Sequence, residues 1–189
     1  MKKNLLNKFI STIIPSFTDD SSNTNKEEHE ELQKFVPDPS DPSDVTFAKV
    51  FTNNGGKFFY CENVEDFYSH LKHLLQESKL KKPYCSDDSL KELLIPSKLT
   101  FEKNYNIADS SINTCEFLIA FNGSVMVSGK QTKNLKIEEL PEAMIVVSYT
   151  SQIVKNISEG LRGIQNKYGK SRPSLVTTIR TKDSITTMS

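Results

Sequence analysis

Two tetrapeptides carry the residue types that could do chemistry: YCEN at 60–63 and YCSD at 84–87. Cys61, Glu62 and Asn63 form one set, and Cys85, Ser86 and Asp87 the other. Cys61 follows the aromatic run KFFY, Cys85 follows Pro83-Tyr84, and the hydroxyl pair Thr150-Ser151 follows the apolar run AMIVVSY. In an open α/β sheet the ligand crevice lies beyond the carboxyl ends of the strands. If these stretches are strands, the three sets become a rim of thiol, carboxylate and hydroxyl groups around one pocket, with Glu62 and Asp87 as acid–base groups. The same residues have an explanation without any ligand. Cysteine buries well as a small apolar side chain, and Asn63, Ser86 and Ser151 are helix-capping types.

Other constellations say less. His70 and His73 are three apart on one predicted helix and have no third ligand, so no metal site is expected. Cys61, Cys85 and Cys115 are too few and too far apart for a disulfide framework, and none forms a C-x-x-C pair. An odd cysteine count fits a reducing, cytoplasmic setting. Gly160 and Gly163 lie within a helical pattern rather than after a strand, which points to close packing on a sheet and not to a phosphate loop. No nucleophile elbow, P-loop or cofactor motif is present, and no cofactor is expected.

Charge narrows the partners. Lys plus Arg and Asp plus Glu both total 24 in a chain of 189 residues, so the formal net charge is zero. That removes the general electrostatic case for nucleic acid, and the lysines of KLKKP at 79–83 read as a solvated helix end. No apolar run is long enough to span a bilayer, so no stable membrane insertion is expected.

The elements that must position these groups follow from periodicity. VTFAKVFTN at 45–53 reads as a helix broken by Gly55-Gly56, and KFFYC at 57–61 as a strand. Asn63 caps the next helix, whose inward stripe is Val64, Phe67, Leu71, Leu74 and Leu75; Pro83 is taken as its end. Ser89 with Glu92 suggests a capping box for a short helix carrying Leu90, Leu93 and Leu94. Phe117–Phe121 and Ser124–Ser128 flank Asn122-Gly123, a tight-hairpin signal. AMIVVSY at 143–149 reads as a strand buried on both faces. A helix capped by Ser151, with Ile153, Ile157, Leu161 and Ile164 inward, and a strand at 175–179 complete the pattern. Alternation of this kind predicts an α/β fold, a largely parallel sheet with one antiparallel hairpin inserted.

Two regions are expected along the chain. Over 1–43, Leu5, Leu6, Phe9, Ile10 and Ile13 fall at helical spacing, giving an amphipathic helix stopped near Pro15. A polar, Pro/Asp/Ser-rich arm follows, with one short helix at about 25–35. The α/β domain occupies 44–189.

Read in order, NYNIADSSINTCEFLIAFNGSVMVSG, ELPEAMIVVSYTSQIVKNISEGLRGIQNKYG and the final SLVTTI strand resemble the LUD-domain family. The likeness is to C-type lactate-utilization proteins in the short form found in Bacteroidetes-like bacteria, and it covers about 44–180. Its acidic residue and hairpin fall at Glu116, Ala120, Gly123, Ser124 and Val125. Its proline-preceded strand falls at Pro141 and Ile145 to Val147, its I-V helix at Ile153-Val154, and its last strand at Pro173, Ser174, Thr178 and Ile179. The resemblance implies a fold similar to the ribose-5-phosphate isomerase and CoA-transferase group. It also adds Glu116, Asn122, Gly123 and Ser124 to the candidate pocket.

Two departures matter. The family's glutamate just before the turn is Phe121 here, so no acid–base role carries over. The segment that follows the last strand in the family is echoed only by Arg180, Thr181, Asp183 and Ile185. A shortened member with an open sheet edge, and hence a homo-oligomer, is the expectation. For function the resemblance implies an accessory or regulatory component of L-lactate oxidation to pyruvate, working with iron–sulfur partner proteins. The alternative is an enzyme acting on an anionic metabolite, a sugar phosphate or CoA ester, with Glu62, Asp87 and Glu116 as acid–base groups.

Overall fold

Six of the seven residues of the strand Ala143–Tyr149 (β7) are buried, and the two sides of this strand face different cores. The computed structural model describes residues 9–14 and 37–181 of the chain. Ile145 and Val147 enter one apolar cluster, Met144 and Val146 another, as the two-residue period of a strand requires. Ser110–Thr114 (β4) runs parallel to β7, with Ile112 opposite Ile145, and Pro83–Tyr84 (β3) runs parallel to β4. On the other side Phe9–Ile14 (β1) lies antiparallel to β7 and to Lys57–Cys61 (β2). The five-stranded order is β2-β1-β7-β4-β3, and every strand except β1 points the same way.

The antiparallel hairpin expected at 117–128 is present as Phe117–Ile119 (β5) and Ser124–Ser128 (β6). It does not join the parallel sheet. With Ile153–Val154 (β8) and Val176–Ile179 (β9) it makes a second sheet in the order β8-β5-β6-β9. This second sheet is also covered on both sides. Leu118, Val125 and Val127 pack with Met144, Val146 and the helix Ser43–Asn53 (α1) through Phe47 and Phe51. Ile119 and Met126 face the helix Ile157–Tyr168, which is α5. The chain is therefore an α/β fold of two sheets packed face to face between helices. On the far face of the first sheet lie Val64–Glu77 (α2), through Phe67, Leu71 and Leu74, and Asp88–Leu94 (α3), through Leu90 and Leu94. Gly129–Thr132 (α4) is a single turn after β6. Each fully buried Leu or Phe contributes about 1.5–3 kcal/mol relative to exposure.

Local signals explain most boundaries. The Asn63 side chain accepts the Asp66 N–H at 2.8 Å and starts α2. That helix ends at Glu77, six residues before Pro83, where Lys79 turns left-handed at φ 55°. Asp87, not Ser89, caps α3 by accepting the Leu90 N–H at 3.1 Å. Asn156, not Ser151, caps α5, because the chain stays extended through β8 before the helix begins. For the same reason Ile153-Val154 form a strand rather than the start of a helix. Ile157 and Leu161 are exposed, and Gly160 and Ile164 make the inward face. A side chain at Gly163 would collide with the Phe117 ring, and one at Gly160 would lie 3.0 Å from Met126 Cε. Both glycines let α5 close onto the second sheet.

One strand was illegible and one segment misread. β4 has a single apolar residue, Ile112, yet Ser110, Ser111 and Asn113 are buried with it. Local bonds make that tolerable: Asn113 Nδ2 donates to Ser111 Oγ at 2.9 Å and Ser110 Oγ to Asp109 Oδ1 at 2.9 Å. The amphipathic helix expected at the N-terminus is corrected over residues 9–14, which are strand. FISTII is rich in β-branched residues that suit a strand, and β1 completes the ladder between β2 and β7. The sheet thus takes in residues before position 44. The arm and short helix expected between 15 and 36 lie outside the described residues.

Candidate functional site

A crevice of about 670 Å³ opens beyond the carboxyl ends of β4 and β7. Thr114, Cys115 and Glu116 leave β4 into it, Val147 and Tyr149 leave β7, and Asp87 and Leu90 come from the start of α3. Its deepest polar group is Glu116, whose residue is only 1 % exposed. The backbone holds this residue in place, its N–H donating to the Met126 carbonyl at 2.8 Å.

Three elements converge on the Glu116 carboxylate. From the end of β6, Ser128 Oγ donates to Oε1 at 2.7 Å. From α4, Gln131 Nε2 donates to Oε1 at 3.0 Å. From the last turn of α5, Lys167 Nζ donates to Oε2 at 2.9 Å, and the Tyr168 hydroxyl lies 2.9 Å from Oε1. The donors are themselves fixed. Gln131 Oε1 accepts the Ser128 N–H at 2.8 Å, a reciprocal cap of α4, and the ammonium groups of Lys130 and Lys167 sit 4.2 and 4.9 Å from the Tyr168 ring centre.

Electrostatics follow from this geometry. Burial alone would push the Glu116 carboxyl up, but hydrogen bonds from Lys167, Gln131, Ser128 and Tyr168 outweigh it and hold the group below its ordinary value. Burial also opposes the Lys167 charge, and the bonds to Glu116 and Tyr168 keep that ammonium above its ordinary value. The pair is ionised at neutral pH, and neither member is poised to take or give a proton there. Asp87 is similarly occupied: Oδ1 caps α3 and Oδ2 accepts the Thr114 hydroxyl at 3.1 Å. Gln152 closes the far wall, donating to the Cys115 carbonyl at 2.6 Å and accepting the Tyr149 N–H at 2.8 Å. The charged residues lining the crevice are Asp87, Glu116 and Lys167, a net negative set.

Only Asp87 and Glu116 among the sequence candidates reach this crevice. Cys85 and Ser86 line a neighbouring cavity, where Ser86 Oγ donates to the Gln131 carbonyl at 2.7 Å. Cys61 is fully buried in the α2 core, Asn63 is spent on capping, and Glu62 is exposed with its N–H on Asp66. Asn122, Gly123 and Ser124 sit at the far tip of the hairpin. Their contacts are with α1, through Asn54 Nδ2 to the Asn122 carbonyl at 3.1 Å and the close approach of Gly123 to Phe51. Thr150 and Ser151 begin the short turn that carries Gln152. The sequence reading missed Ser128, Gln131, Gln152, Lys167 and Tyr168. Ser128-x-x-Gln131 is a legible capping box, but nothing in the sequence joins Lys167 and Tyr168 to Glu116.

All three thiols are buried. Burial raises Cys61 and Cys85 to about 11, and Cys115 to about 12. A thiol-reactive chromogenic disulfide should therefore label the native protein by less than about one-tenth of an equivalent in ten minutes, and all three cysteines after denaturation. Rapid native labelling of one cysteine would contradict this burial.

Among the described residues no cluster of three His, Cys, Asp or Glu side chains is arranged to hold a metal ion, and no helix is long and apolar enough to cross a membrane. His70 packs on the Phe59 ring, and His73 faces Glu77 at 3.9 Å. Comparisons with family models, with curated proteins and with solved structures find no match for this chain.

Proposed function

We propose that this chain is a LUD-type protein of lactate utilization, an accessory or regulatory component of L-lactate oxidation to pyruvate that acts with iron–sulfur partner proteins. The isomerase-like fold implied by the resemblance belongs to the same proposal. The observation that carries the accessory reading is the state of Glu116: the one acidic residue of the resembling hairpin is in the crevice, and both its oxygens are already taken by donors. A carboxylate so held makes a rigid wall and a poor general base. Asp87 is likewise engaged, at the start of α3 and by Thr114, so both carboxylates that line the crevice are held by donors.

The alternative, an enzyme acting on an anionic sugar phosphate or CoA ester, draws on Lys167, whose side chain is half exposed. The negative balance of the crevice works against it, since attraction of an anion needs the opposite sign.

The test is reconstitution with purified iron–sulfur partner proteins, following L-lactate-dependent reduction of an artificial electron acceptor. The chain alone should give no turnover, and adding it to the partners should raise their rate or change its dependence on lactate. An unchanged partner rate would overturn the proposal. Turnover by the chain alone, or a thermal shift with a sugar phosphate or CoA ester that Lys167→Ala abolishes, would favour the enzyme. A ligand at a hundred times its Kd adds about 2.7 kcal/mol.

A further inference from the structure

A second cavity, of about 360 Å³, opens on the other flank of the segment that leaves β3. Its character is opposite to that of the first crevice. Lys91, Lys103 and Lys133 surround it, against one carboxylate, Glu102. That carboxylate is turned back on its own turn, Oε1 accepting the N–H groups of Lys103 at 2.8 Å and Asn104 at 3.4 Å. Lys91 is paired with Asp88 at 2.9 Å, whereas Lys103 and Lys133 form no ion pair among the described residues. Even with Asp88 counted, the rim keeps a positive excess.

The walls are ordered by the fold rather than by loops alone. The backbone at Glu102 bridges to Tyr84 as a further parallel rung, with its N–H on the Pro83 carbonyl at 2.9 Å. Phe101 is packed on the first core, and the Tyr84 ring meets Tyr105 edge-on at 5.9 Å. Lys133 is delivered by an unusual turn, in which it and Asn134 are consecutive left-handed residues at φ 51° and 64°. The Asn134 N–H closes that turn on the Gly129 carbonyl at 2.9 Å.

We propose that this cavity is an anion site for a phosphate monoester. A phosphate dianion carries the charge and the acceptor oxygens to engage Lys103 and Lys133 together, with Lys91 held beside them by Asp88, which a single carboxylate does less well. The cavity also holds more than a bare phosphate, and Phe101 and Tyr84 give the remaining space an apolar, aromatic wall suited to the body of the ester. The site is independent of Glu116 and of the lactate reading, because its lining shares no residue with the first crevice.

Isothermal titration calorimetry on the full chain, at fixed ionic strength, tests the assignment with inorganic phosphate, adenosine monophosphate, glucose 6-phosphate and adenosine. At least one monoester should bind with a Kd of about 1 mM or tighter, and adenosine should not bind. Lys103→Ala/Lys133→Ala should raise that Kd about tenfold or more, while Lys72→Ala, an exposed lysine on α2, should leave it unchanged. Both substituted lysines are exposed, and an unaltered thermal midpoint without ligand will show that the double variant is folded. Inorganic phosphate binding as tightly as the esters would keep the anion site and make free phosphate its ligand. Absence of binding by any phosphate up to about 10 mM, or an unchanged Kd in the double variant, would overturn the proposal.

Discussion

Replacing Glu116 with alanine is expected to destabilise the protein by about 3 kcal/mol, lowering the thermal midpoint by about 6–12 °C for a chain of this length. The loss has two sources. Ser128, Gln131 and Tyr168 would each lose the Glu116 acceptor, and a buried donor left unpaired costs about 1–3 kcal/mol, a cost that Ser128 escapes in part through Gln131 Oε1 at 2.9 Å. The Lys167 ammonium, half exposed, can turn to solvent, which keeps the total near the lower end of what breaking a buried ion pair costs. Glu116→Gln keeps the shape and one acceptor oxygen and should lose about 1 kcal/mol.

The same pair of variants predicts a pH dependence. The folded-state value of Glu116 lies below its unfolded value, so its stabilisation is complete above the unfolded value of about 4.3 and is lost as pH falls through the folded value. Denaturant unfolding between about pH 6 and pH 3 should therefore show a shallower acid loss in Glu116→Gln than in the wild type. Equal slopes, or an alanine variant within about 1 kcal/mol of wild type, would mean that the network is solvated and that Glu116 does not organise the crevice.

Gly123→Ala should be comparably severe, at about 3 kcal/mol, for a wholly different reason. Gly123 has φ 61°, where an alanine costs about 1–2 kcal/mol from its own backbone. The added methyl would also lie 2.8 Å from the Phe51 backbone nitrogen and 3.0 Å from the Val50 carbonyl carbon. Those atoms belong to a helix whose Phe47 and Phe51 are fully buried, so they cannot withdraw without opening the core between the two sheets. Gly55→Ala is the matched control. It has φ 85° with no atom within 4 Å of the added methyl, and should cost only the backbone share of about 1–2 kcal/mol. If the two variants unfold at the same denaturant concentration, the hairpin tip does not press on α1 as the structure has it.

Much of the frame was legible in the sequence because it is local. The unbroken apolar run Ala143–Tyr149 reports a strand buried on both faces, and the stripe Phe67, Leu71, Leu74 reports one buried side of α2. Asn63 announces the start of that helix and Asn122-Gly123 the hairpin, although three residues of 3-10 helix precede Gly123 where a two-residue turn was the simpler expectation. The rule that a crevice lies past the strand ends holds for Asp87, whereas Glu116, which also lines the crevice, was a candidate only through the family resemblance. The rule fails for Cys61, Glu62 and Asn63: the Cys61 side chain lies in the core, Asn63 caps α2, and Glu62 is exposed away from the crevice.

What tertiary structure alone decided is who meets whom. β4 has one apolar residue in five, and it becomes an interior strand because β3 and β7 supply its ladder on both sides, with Asn113 Nδ2 bonded to Ser111 Oγ although Asn113 Oδ1 is buried without a partner. The hairpin belongs to a second sheet because β8 and β9, distant in sequence, take its two edges. Lys167 reaches Glu116 across 51 residues because two glycines let α5 settle on that sheet. Composition and spacing report how each segment divides between core and water, a property of neighbours in the chain. The pairing of strands and the convergence of donors on one buried carboxylate depend on packing between segments, and their energy appears only once those surfaces are in contact.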